Sequence, residues 1–198
     1  MKHSNYTLMK RAVDFACATA GLAALSPIFV LIAGAIKVSS SGPVFYRGVR
    51  VGQHGIPFRI FKFRTMVVDA ERLGGASTSS SDARVTPIGR FLRAYKLDEL
   101  PQLINVLMGD MSLVGPRPER PVFVKQFSKS IPNYMARHAV KAGITGWAQV
   151  NGWRGNSSLR RRVQFDLYYI THWNPLFDVR ILVLTVWRMF FQKQKHAY

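Results

Sequence analysis

Cysteine and the familiar catalytic signatures are scarce in this chain. Among 198 residues there is one cysteine, Cys17, which excludes a disulfide scaffold and a cysteine-based zinc site. The five histidines are scattered, and no pair has the H-x-x-x-H spacing of a zinc site. The glycine motifs of phosphate loops, dinucleotide-binding folds and serine hydrolases are also missing. Any chemistry must therefore come from a less common set of residues.

Acidic residues are also few, which leaves a strongly basic chain. There are 10 Asp and Glu against 28 Lys and Arg, for a net charge of +18. Hydrophobic residues make up 48% of the chain, so it is not a disordered polyelectrolyte, and its length predicts one domain with at most a small appendage. The charge implies an anionic partner: a nucleic acid, an anionic lipid surface or a phosphorylated substrate.

An uncharged apolar run, residues 15–36, indicates that the protein meets a membrane. A straight helix of this length is about 33 Å long, against a bilayer core of about 30 Å. Ser26 and Pro27 lie near its midpoint, where the proline lacks an N–H and clashes with the carbonyl of Ala23. An ordinary kinked transmembrane helix is the interpretation that the residues alone favour. The alternative is a helix–break–helix hairpin, in which the Ser26 hydroxyl covers a freed carbonyl.

Residues 37–198 have the pattern of a basic soluble domain. They carry 25 of the 28 Lys and Arg, which favours the cytoplasmic side of the membrane. Short strands are predicted at Val44–Tyr46 and Pro57–Met66. Helices are predicted at 70–73, 88–95, 98–108, 118–128, 157–172 and 178–192. The last of these contains an 11-residue apolar run with Trp187, which suits either an interfacial helix or a buried core helix.

Asp98 and Glu99 form the only adjacent acidic pair, at the start of the predicted helix 98–108. They could simply cap that helix, with Asp98 as the N-cap residue and Glu99 in the first turn. Alternatively, they form a carboxylate nucleophile with an acidic partner, working with a divalent metal on a phosphorylated substrate. The spacing alone favours capping.

Basic residues surround this pair in the sequence. Two prolines flank Arg117 in GPRP and hold its guanidinium in a narrow range of directions, which suits bidentate phosphate binding. Lys62 and Arg64 lie on a predicted strand. Each of these residues could equally be a solvated surface cation. The stretch Gly143–Gly152 is rich in glycine and amides and fits either a ligand-binding backbone or turns between core elements.

Several longer blocks resemble one known family over nearly the whole chain. The family is the bacterial sugar transferases, the monotopic phosphoglycosyl transferases. The blocks are the apolar start with Ser26-Pro27, KFRTM at 62–66, LDELPQLINVLMGDMSLVGPRP at 97–118, GITGWAQVNGWRG at 143–155 and FDLYYI at 165–170. Long motifs in the right order make the resemblance highly specific.

The resemblance implies a fold class and a location. The fold is a mostly helical α/β cytoplasmic catalytic domain at 39–198, which includes a C-terminal interfacial amphipathic helix. It is mounted on a re-entrant membrane helix–break–helix at 1–38. At Pro27 the resemblance therefore favours the hairpin over the kinked transmembrane helix. Larger members carry an additional N-terminal membrane block, so this chain resembles the minimal form. The implied location is the bacterial inner membrane, with the catalytic domain facing the cytoplasm.

The resemblance also implies a reaction. A phosphosugar passes from a UDP-sugar to undecaprenyl phosphate, a polyprenol phosphate, with release of UMP, which initiates exopolysaccharide, capsule or other surface glycan synthesis. The family's acidic dyad falls on Asp98 and Glu99. Asp98 forms a covalent aspartyl-phosphosugar, Glu99 assists, and Mg²⁺ contacting Asp98 neutralises phosphate charge. The implied substrate-binding residues are Lys62, Arg64, Arg93, Arg117, Gln149 and Asn151.

The implied partners are the sugar donor, the polyprenol phosphate and membrane lipids, without nucleic acid; a homodimer stays open. NGWRG and the C-terminal end are most similar to members that use UDP-glucose or UDP-galactose. A basic nucleic-acid-binding protein is one alternative, and the uncharged run 15–36 argues against it. A membrane scaffold without chemistry is another, and the intact pair Asp98-Glu99 argues against that.

Overall fold

The computed structural model describes residues 2–74, 82–155 and 157–191, and this part of the chain is mostly helical. Its helices are α1 (Lys2–Ser39), α2 (Ala70–Leu73), α3 (Pro87–Ala94), α4 (Gln102–Met108), α5 (Pro121–Ser130), α6 (Trp147–Val150), α7 (Leu159–Thr171) and α8 (Pro175–Phe191). Its strands are β1 (Phe45–Tyr46), β2 (Val49–Val51), β3 (Pro57–Arg59), β4 (Lys62–Phe63), β5 (Met111–Val114) and β6 (Ala142–Thr145).

The strands form three small pairs. β1 pairs with β4 and β2 with β3, both antiparallel, whereas β5 and β6 are parallel. The predicted single strand 57–66 is therefore wrong, because it is divided between two pairs. Asn105, which is fully buried on α4, explains the division. Its side chain accepts from the Phe61 N–H at 2.8 Å and donates to the Arg59 carbonyl at 2.8 Å, so the backbone turns there.

α1 is one continuous helix, so the prediction of two arms separated by a break at Pro27 is wrong for the helix itself. Pro27 deprives the Ala23 carbonyl of its helical donor, and the Ser26 hydroxyl donates to that carbonyl at 2.8 Å. This local replacement satisfies the backbone without interrupting the helix. The stretch Thr7–Ser39 is long and apolar enough to cross a membrane.

One face of α1 packs on the rest of the protein near both ends of the helix. Near its start, Arg11 donates to the carbonyl of Leu107 at 2.7 Å at the end of α4. Asp14, which is buried, accepts from the Leu113 N–H of β5 at 3.0 Å. Near its end, Ile36 is buried in a cluster with Phe63 and other apolar residues. The opposite face is apolar and exposed, as at Leu31, which is 72% exposed.

α8 also has two apolar faces. Ile181 is fully buried in a cluster that includes Val114 of β5 and Tyr169 of α7. Other apolar side chains of α8 are exposed: Leu176, Val179, Val183, Val186, Trp187, Met189 and Phe191. The core interpretation is therefore confirmed for one face of this helix, whereas an interfacial position of its exposed apolar face stays a prediction.

Candidate active site

The acidic pair lies in a short 3-10 turn, Leu97–Glu99, rather than in a helix over 98–108. Lys96, in the left-handed region at φ 57°, precedes this turn, and α4 starts only at Gln102, after Pro101. Within the described part of the chain, no hydrogen bond reaches the Asp98 carboxylate. The interpretation of Asp98 as a helix cap is therefore wrong, and its buried carboxylate has no structural bond to explain it.

Glu99 is held by two cations from separate parts of the chain. Lys62 of β4 donates to its Oε1 at 2.6 Å. Arg117, in the loop after β5, donates from Nη2 to Oε1 at 2.6 Å and from Nη1 to Oε2 at 3.2 Å. This is the bidentate geometry that a guanidinium fork makes with a carboxylate. Glu99 thus fixes both cations beside its neighbour Asp98.

The two carboxyl groups have opposite pKa shifts. Burial raises the pKa of Asp98 to about 6, against the pull of Lys62 and, more weakly, Arg93 and Arg117. Burial also acts to raise the pKa of Glu99, but Arg117 and Lys62 outweigh it and hold that pKa well below its ordinary value. Asp98 is therefore a poorly solvated carboxylate, and it is the more reactive of the two carboxyl groups.

A second ion pair fixes the loop that carries Arg117. The guanidinium of Arg137 is fully buried and donates to Asp166 at 2.6 Å and 3.0 Å. Its Nη2 also donates to the backbone carbonyl of Arg117 at 3.0 Å. Little in the sequence points to this pair, apart from the position of Asp166, one of ten acids, in FDLYYI.

Tight backbone packing holds the same loop from the other side. The Gly115 N–H donates to the Thr145 carbonyl and the Gly143 N–H donates to the Pro116 carbonyl, each at 2.9 Å. A Cβ on Gly143 would lie 2.0 Å from the Gly115 nitrogen, so only glycine fits there. The first residue of the glycine-rich stretch 143–152 therefore supports the loop that carries Arg117.

The remaining predicted binding residues separate into two groups. Arg93 of α3 lies within electrostatic range of Asp98, and its Nε donates to Thr65 at 2.8 Å. Arg64, by contrast, donates to the Ser40 carbonyl at 2.9 Å and to the Ser41 carbonyl, where it closes the end of α1. The structure thus brings Lys62, Arg93 and Arg117 to the dyad and gives Arg64 an anchoring role.

Gln149 and Asn151 make their hydrogen bonds inside their own loop. Gln149 Nε2 donates to the Ile144 carbonyl at 3.0 Å, and Asn151 Nδ2 donates to the Trp147 carbonyl at 2.7 Å. These bonds fasten the turn between β6 and α6. Substrate binding by these two residues stays a prediction.

Two further basic residues face the dyad, Lys96 and Arg154. Burial and, to a smaller extent, the nearby Arg154 lower the pKa of Lys96 to about 8. Burial also lowers the pKa of Arg154, which lies within electrostatic range of Arg117 and Glu99. Neither forms an ion pair within the described ranges. Together with Lys62, Arg93 and Arg117 they give the site an excess of positive charge, which suits a polyanionic ligand.

A metal ion at this site would have few protein ligands. The described residues contain no group of three or more His, Cys, Asp or Glu side chains that could hold a metal. Both Glu99 oxygens are bound to cations, whereas Asp98 is free to coordinate. Mg²⁺ is commonly held by one or two carboxylates together with substrate phosphates and water. The donor set therefore fits Mg²⁺ that arrives with a phosphate ligand.

The sequence model of the bacterial sugar transferases matches residues 5–192. The chain belongs to this family. A UDP-glucose:undecaprenyl-phosphate glucose-1-phosphate transferase of Escherichia coli (strain K12) is 48% identical over 190 residues, which cover 94% of this chain and 41% of that protein. A transferase of the same name from Caulobacter vibrioides is 44% identical over 183 residues, which cover 90% of this chain and 68% of that protein.

Another relative in the family carries the name of a different sugar. The UDP-N-acetylgalactosamine-undecaprenyl-phosphate N-acetylgalactosaminephosphotransferase of Aeromonas hydrophila is 43% identical over 183 residues, covering 91% of this chain and 43% of that protein. The chain thus spans about two-fifths of the length of this bacterial sugar transferase and of the one from Escherichia coli. Overall identity hardly separates relatives named for glucose from those named for N-acetylgalactosamine.

Proposed function

We propose that this sugar transferase moves a phosphosugar from a UDP-sugar, glucose or galactose by preference, to undecaprenyl phosphate and releases UMP. The single observation that carries the proposal is the buried, unbonded Asp98 carboxylate beside a carboxylate-bound pair of cations. The names of the relatives support the donor and acceptor classes. The product would start an exopolysaccharide, a capsule or another surface glycan.

Asp98 is the proposed nucleophile. Its carboxylate oxygen forms a bond to the β-phosphorus of the donor, and the bond from that phosphorus to the bridging oxygen breaks. The electron pair leaves with UMP, and a phosphosugar stays on Asp98 as an acyl phosphate. An oxygen of the acceptor phosphate then attacks the same phosphorus and frees the Asp98 carboxylate. Lys62, Arg93 and Arg117 stabilise the negative charge on the phosphoryl oxygens.

Glu99 is the proposed positioning residue for this chemistry. Its oxygens bind Lys62 and Arg117, and its lowered pKa makes it a weak base. Proton removal from the acceptor is therefore a minor task for Glu99, and alignment of the two cations is its main one. Mg²⁺, held by Asp98 and the donor phosphates, would neutralise phosphate charge when bound.

The exposed apolar faces of α1 and α8 support a membrane location. We assign the protein to the cytoplasmic face of the bacterial inner membrane, with α1 as a re-entrant monotopic anchor and α8 lying in the interface. The net charge of +18 adds to this binding, since each Lys or Arg near an anionic surface contributes on the order of 1 kcal/mol. With this placement we expect the site to lie near the depth of a lipid phosphate.

A turnover assay tests the proposal. The purified full chain in detergent is given undecaprenyl phosphate, Mg²⁺ and one UDP-sugar at a time, and UMP release is measured. We expect release with UDP-glucose or UDP-galactose and none from Asp98→Asn. With labelled donor and no acceptor, one phosphosugar should appear on a peptide that contains Asp98.

Two outcomes would contradict this proposal. Ternary-complex kinetics with no labelled protein after rapid quench would exclude the aspartyl intermediate. A folded protein that turns over no donor would instead support the scaffold interpretation.

A further inference from the structure

A cavity beside the acidic pair is lined partly by residues that have no assigned role so far. Its volume is about 160 Å³, which holds several water molecules and is ample for a phosphate with part of a nucleoside. Lys62 and Arg117 line it on the side of Glu99. The cavity is therefore continuous with the catalytic cations. Its other polar or aromatic walls include Arg50, Gln102, Arg120 and Phe123.

The charges around this cavity are unbalanced. Arg50 of β2 is half-buried. Burial lowers its pKa, the hydrogen-bonded Tyr46 opposes this effect, and Arg120 and Arg117 add to it. Glu119 is the only acid among the described lining residues, and its Oε1 already accepts from Arg162 at 2.8 Å. A bound anion would reduce the repulsion between the guanidinium groups around this space.

Gln102, the first residue of α4, provides the second observation. It is 1% exposed, and its Nε2 has no hydrogen-bond partner although it lines the cavity. A buried amide N–H without an acceptor destabilises a folded protein, so such a group in a native structure calls for an explanation. An oxygen of a ligand in the cavity would satisfy it.

The direction of the proposed reaction points to the same space. In a phosphoryl transfer the leaving oxygen lies roughly in line with the nucleophile, on the far side of the phosphorus. If Asp98 attacks, UMP leaves on the side of the phosphorus away from Asp98, and the cavity beside Lys62 and Arg117 offers a space for it. Phe123, which is half-exposed, adds an aromatic wall on which a flat base can pack.

We infer that this cavity binds the nucleoside monophosphate half of the donor, with Arg50, Arg120 and Gln102 on its phosphate and ribose oxygens and Phe123 against its base. This inference rests on the proposed function, because it uses Asp98 as the nucleophile. It assigns the nucleotide to residues that the acidic dyad and its cations do not include.

Calorimetric titration of UMP into the full chain in detergent tests the inference. Gln102→Leu should weaken UMP binding by about tenfold, the value expected for loss of a hydrogen bond to a charged group. The melting temperature of this variant without UMP should be unchanged or higher, because an unpartnered amide has been removed. Arg50→Gln should weaken UMP more than it weakens uridine. Arg160→Gln, an exposed charge loss on α7, is the matched control and should leave UMP affinity within twofold.

The results also separate this inference from the proposed function. If Gln102→Leu and Arg50→Gln bind UMP as tightly as the wild type and the KM for the donor is unchanged, the assignment of the nucleotide to this cavity is wrong. Turnover by the wild type would still support the transferase function in that case. Absence of UMP binding by the wild type would overturn the assignment as well. Conversely, a protein that turns over no donor but loses UMP affinity in these variants would keep the pocket and lose the proposed function.

Discussion

Asp98 and Glu99 are neighbours in the chain, yet Lys62 and Arg117 bind only Glu99. Each cation therefore stabilises one carboxylate by direct contact and the other only through space. Burial raises the pKa of Asp98 to about 6 because the distant cations only partly oppose it, whereas direct contact with Arg117 and Lys62 holds the pKa of Glu99 well below its ordinary value. Two neighbouring carboxyl groups whose pKa values differ in this way have different chemical roles.

The first prediction concerns the pH dependence of the first half-reaction. Protonated Asp98 cannot attack phosphorus, so UMP release in the absence of acceptor should fall as the pH drops through about 6. Leaving out the acceptor matters because the second pKa of a phosphate monoester is also near 6. Rapid-quench measurement of the UMP burst between pH 5 and pH 8, at ~0.5-unit steps, gives the profile. A burst that stays constant down to pH 5 would place the nucleophile elsewhere.

The second prediction is that Asp98→Asn stabilises the protein while abolishing turnover. The pKa of Asp98 is raised from 3.8 in the unfolded chain to about 6 in the folded one. The folded state therefore binds the proton more tightly, and stability falls as the pH rises from about 4 to about 6. Above that range the ionised group costs stability in full, so Asp98→Asn should gain about 1–3 kcal/mol at pH 7.5.

Thermal unfolding in EDTA at pH 7.5 and at pH 4 measures this effect. The gain of Asp98→Asn over wild type should shrink at pH 4, where both proteins carry a neutral group at this position. Asp69→Asn makes the same chemical change at an exposed position and serves as the control. An equal or lower melting temperature for Asp98→Asn at pH 7.5 would count against an electrostatic cost at this position.

The third prediction concerns the fork of Arg117. Arg117→Lys keeps the charge but cannot make both bonds to Glu99, at 2.6 Å and 3.2 Å. We expect kcat to fall at least about tenfold, which corresponds to about 1.4 kcal/mol in the barrier. Arg160→Lys makes the same chemical change at an exposed position of α7 and serves as the control, with kcat expected to be unchanged. Unchanged turnover in Arg117→Lys would show that the fork of Arg117 is not needed and that Arg117 is an ordinary cation of the loop.

The fourth prediction concerns the buried pair behind the loop. Arg137→Met leaves Asp166 as an uncompensated buried charge, so it should cost about 3–5 kcal/mol of stability. The double variant Arg137→Met/Asp166→Leu removes both charges and should recover much of that loss. Where the double variant folds, its kcat should still be reduced, because the Arg117 carbonyl has lost its donor. Denaturant unfolding measures the change in stability, and UMP release measures the change in kcat. A wild-type kcat in the folded double variant would show that Arg137 does not position Arg117.

Most elements of this fold could be predicted from local pattern. The helices at 70–73 and 88–95 agree closely with α2 and α3, and those near the C-terminus differ from α7 and α8 by a few residues. The strand at 57–66 could not be predicted correctly, because the turn after Arg59 depends on Asn105, more than 40 residues away. A buried side chain that takes the hydrogen bonds of a neighbouring strand leaves no pattern in the local sequence.

The candidate site divides in the same way. Lys62, Arg93 and Arg117 could be proposed from the motifs, and the structure brings them to the dyad. Arg64 looks the same in sequence and would share a face with Lys62 in a continuous strand. However, β4 ends at Phe63, and Arg64 donates to the Ser40 carbonyl at the end of α1. The pairing of Arg137 with Asp166 and the burial of Gln102 arise only from tertiary packing, so no spacing rule could find them.

The last prediction concerns the path of α1 in the membrane. At 38 residues the helix is about 57 Å long, far more than the thickness of a bilayer core. Yet Lys10 binds Asp178 at 2.7 Å and Asp14 binds the Leu113 N–H near one end, while Ile36 is buried near the other. A spanning helix would have to give up the contacts at Lys10 and Asp14, so we expect both ends to stay on the cytoplasmic side.

Cysteine labelling in intact cells checks this path, in a Cys17→Ser background. A membrane-impermeant maleimide should label Ser4→Cys and Lys195→Cys only after permeabilisation; Lys195 lies outside the described residues. Pro27→Ala restores a helical donor to the Ala23 carbonyl and should straighten α1, so external labelling of Ser4→Cys should rise. Ser26→Ala is the control that keeps the proline. External labelling of Ser4→Cys in the otherwise unchanged protein would show that α1 spans the membrane, because the contacts of Lys10 and Asp14 with the catalytic domain cannot form across a bilayer.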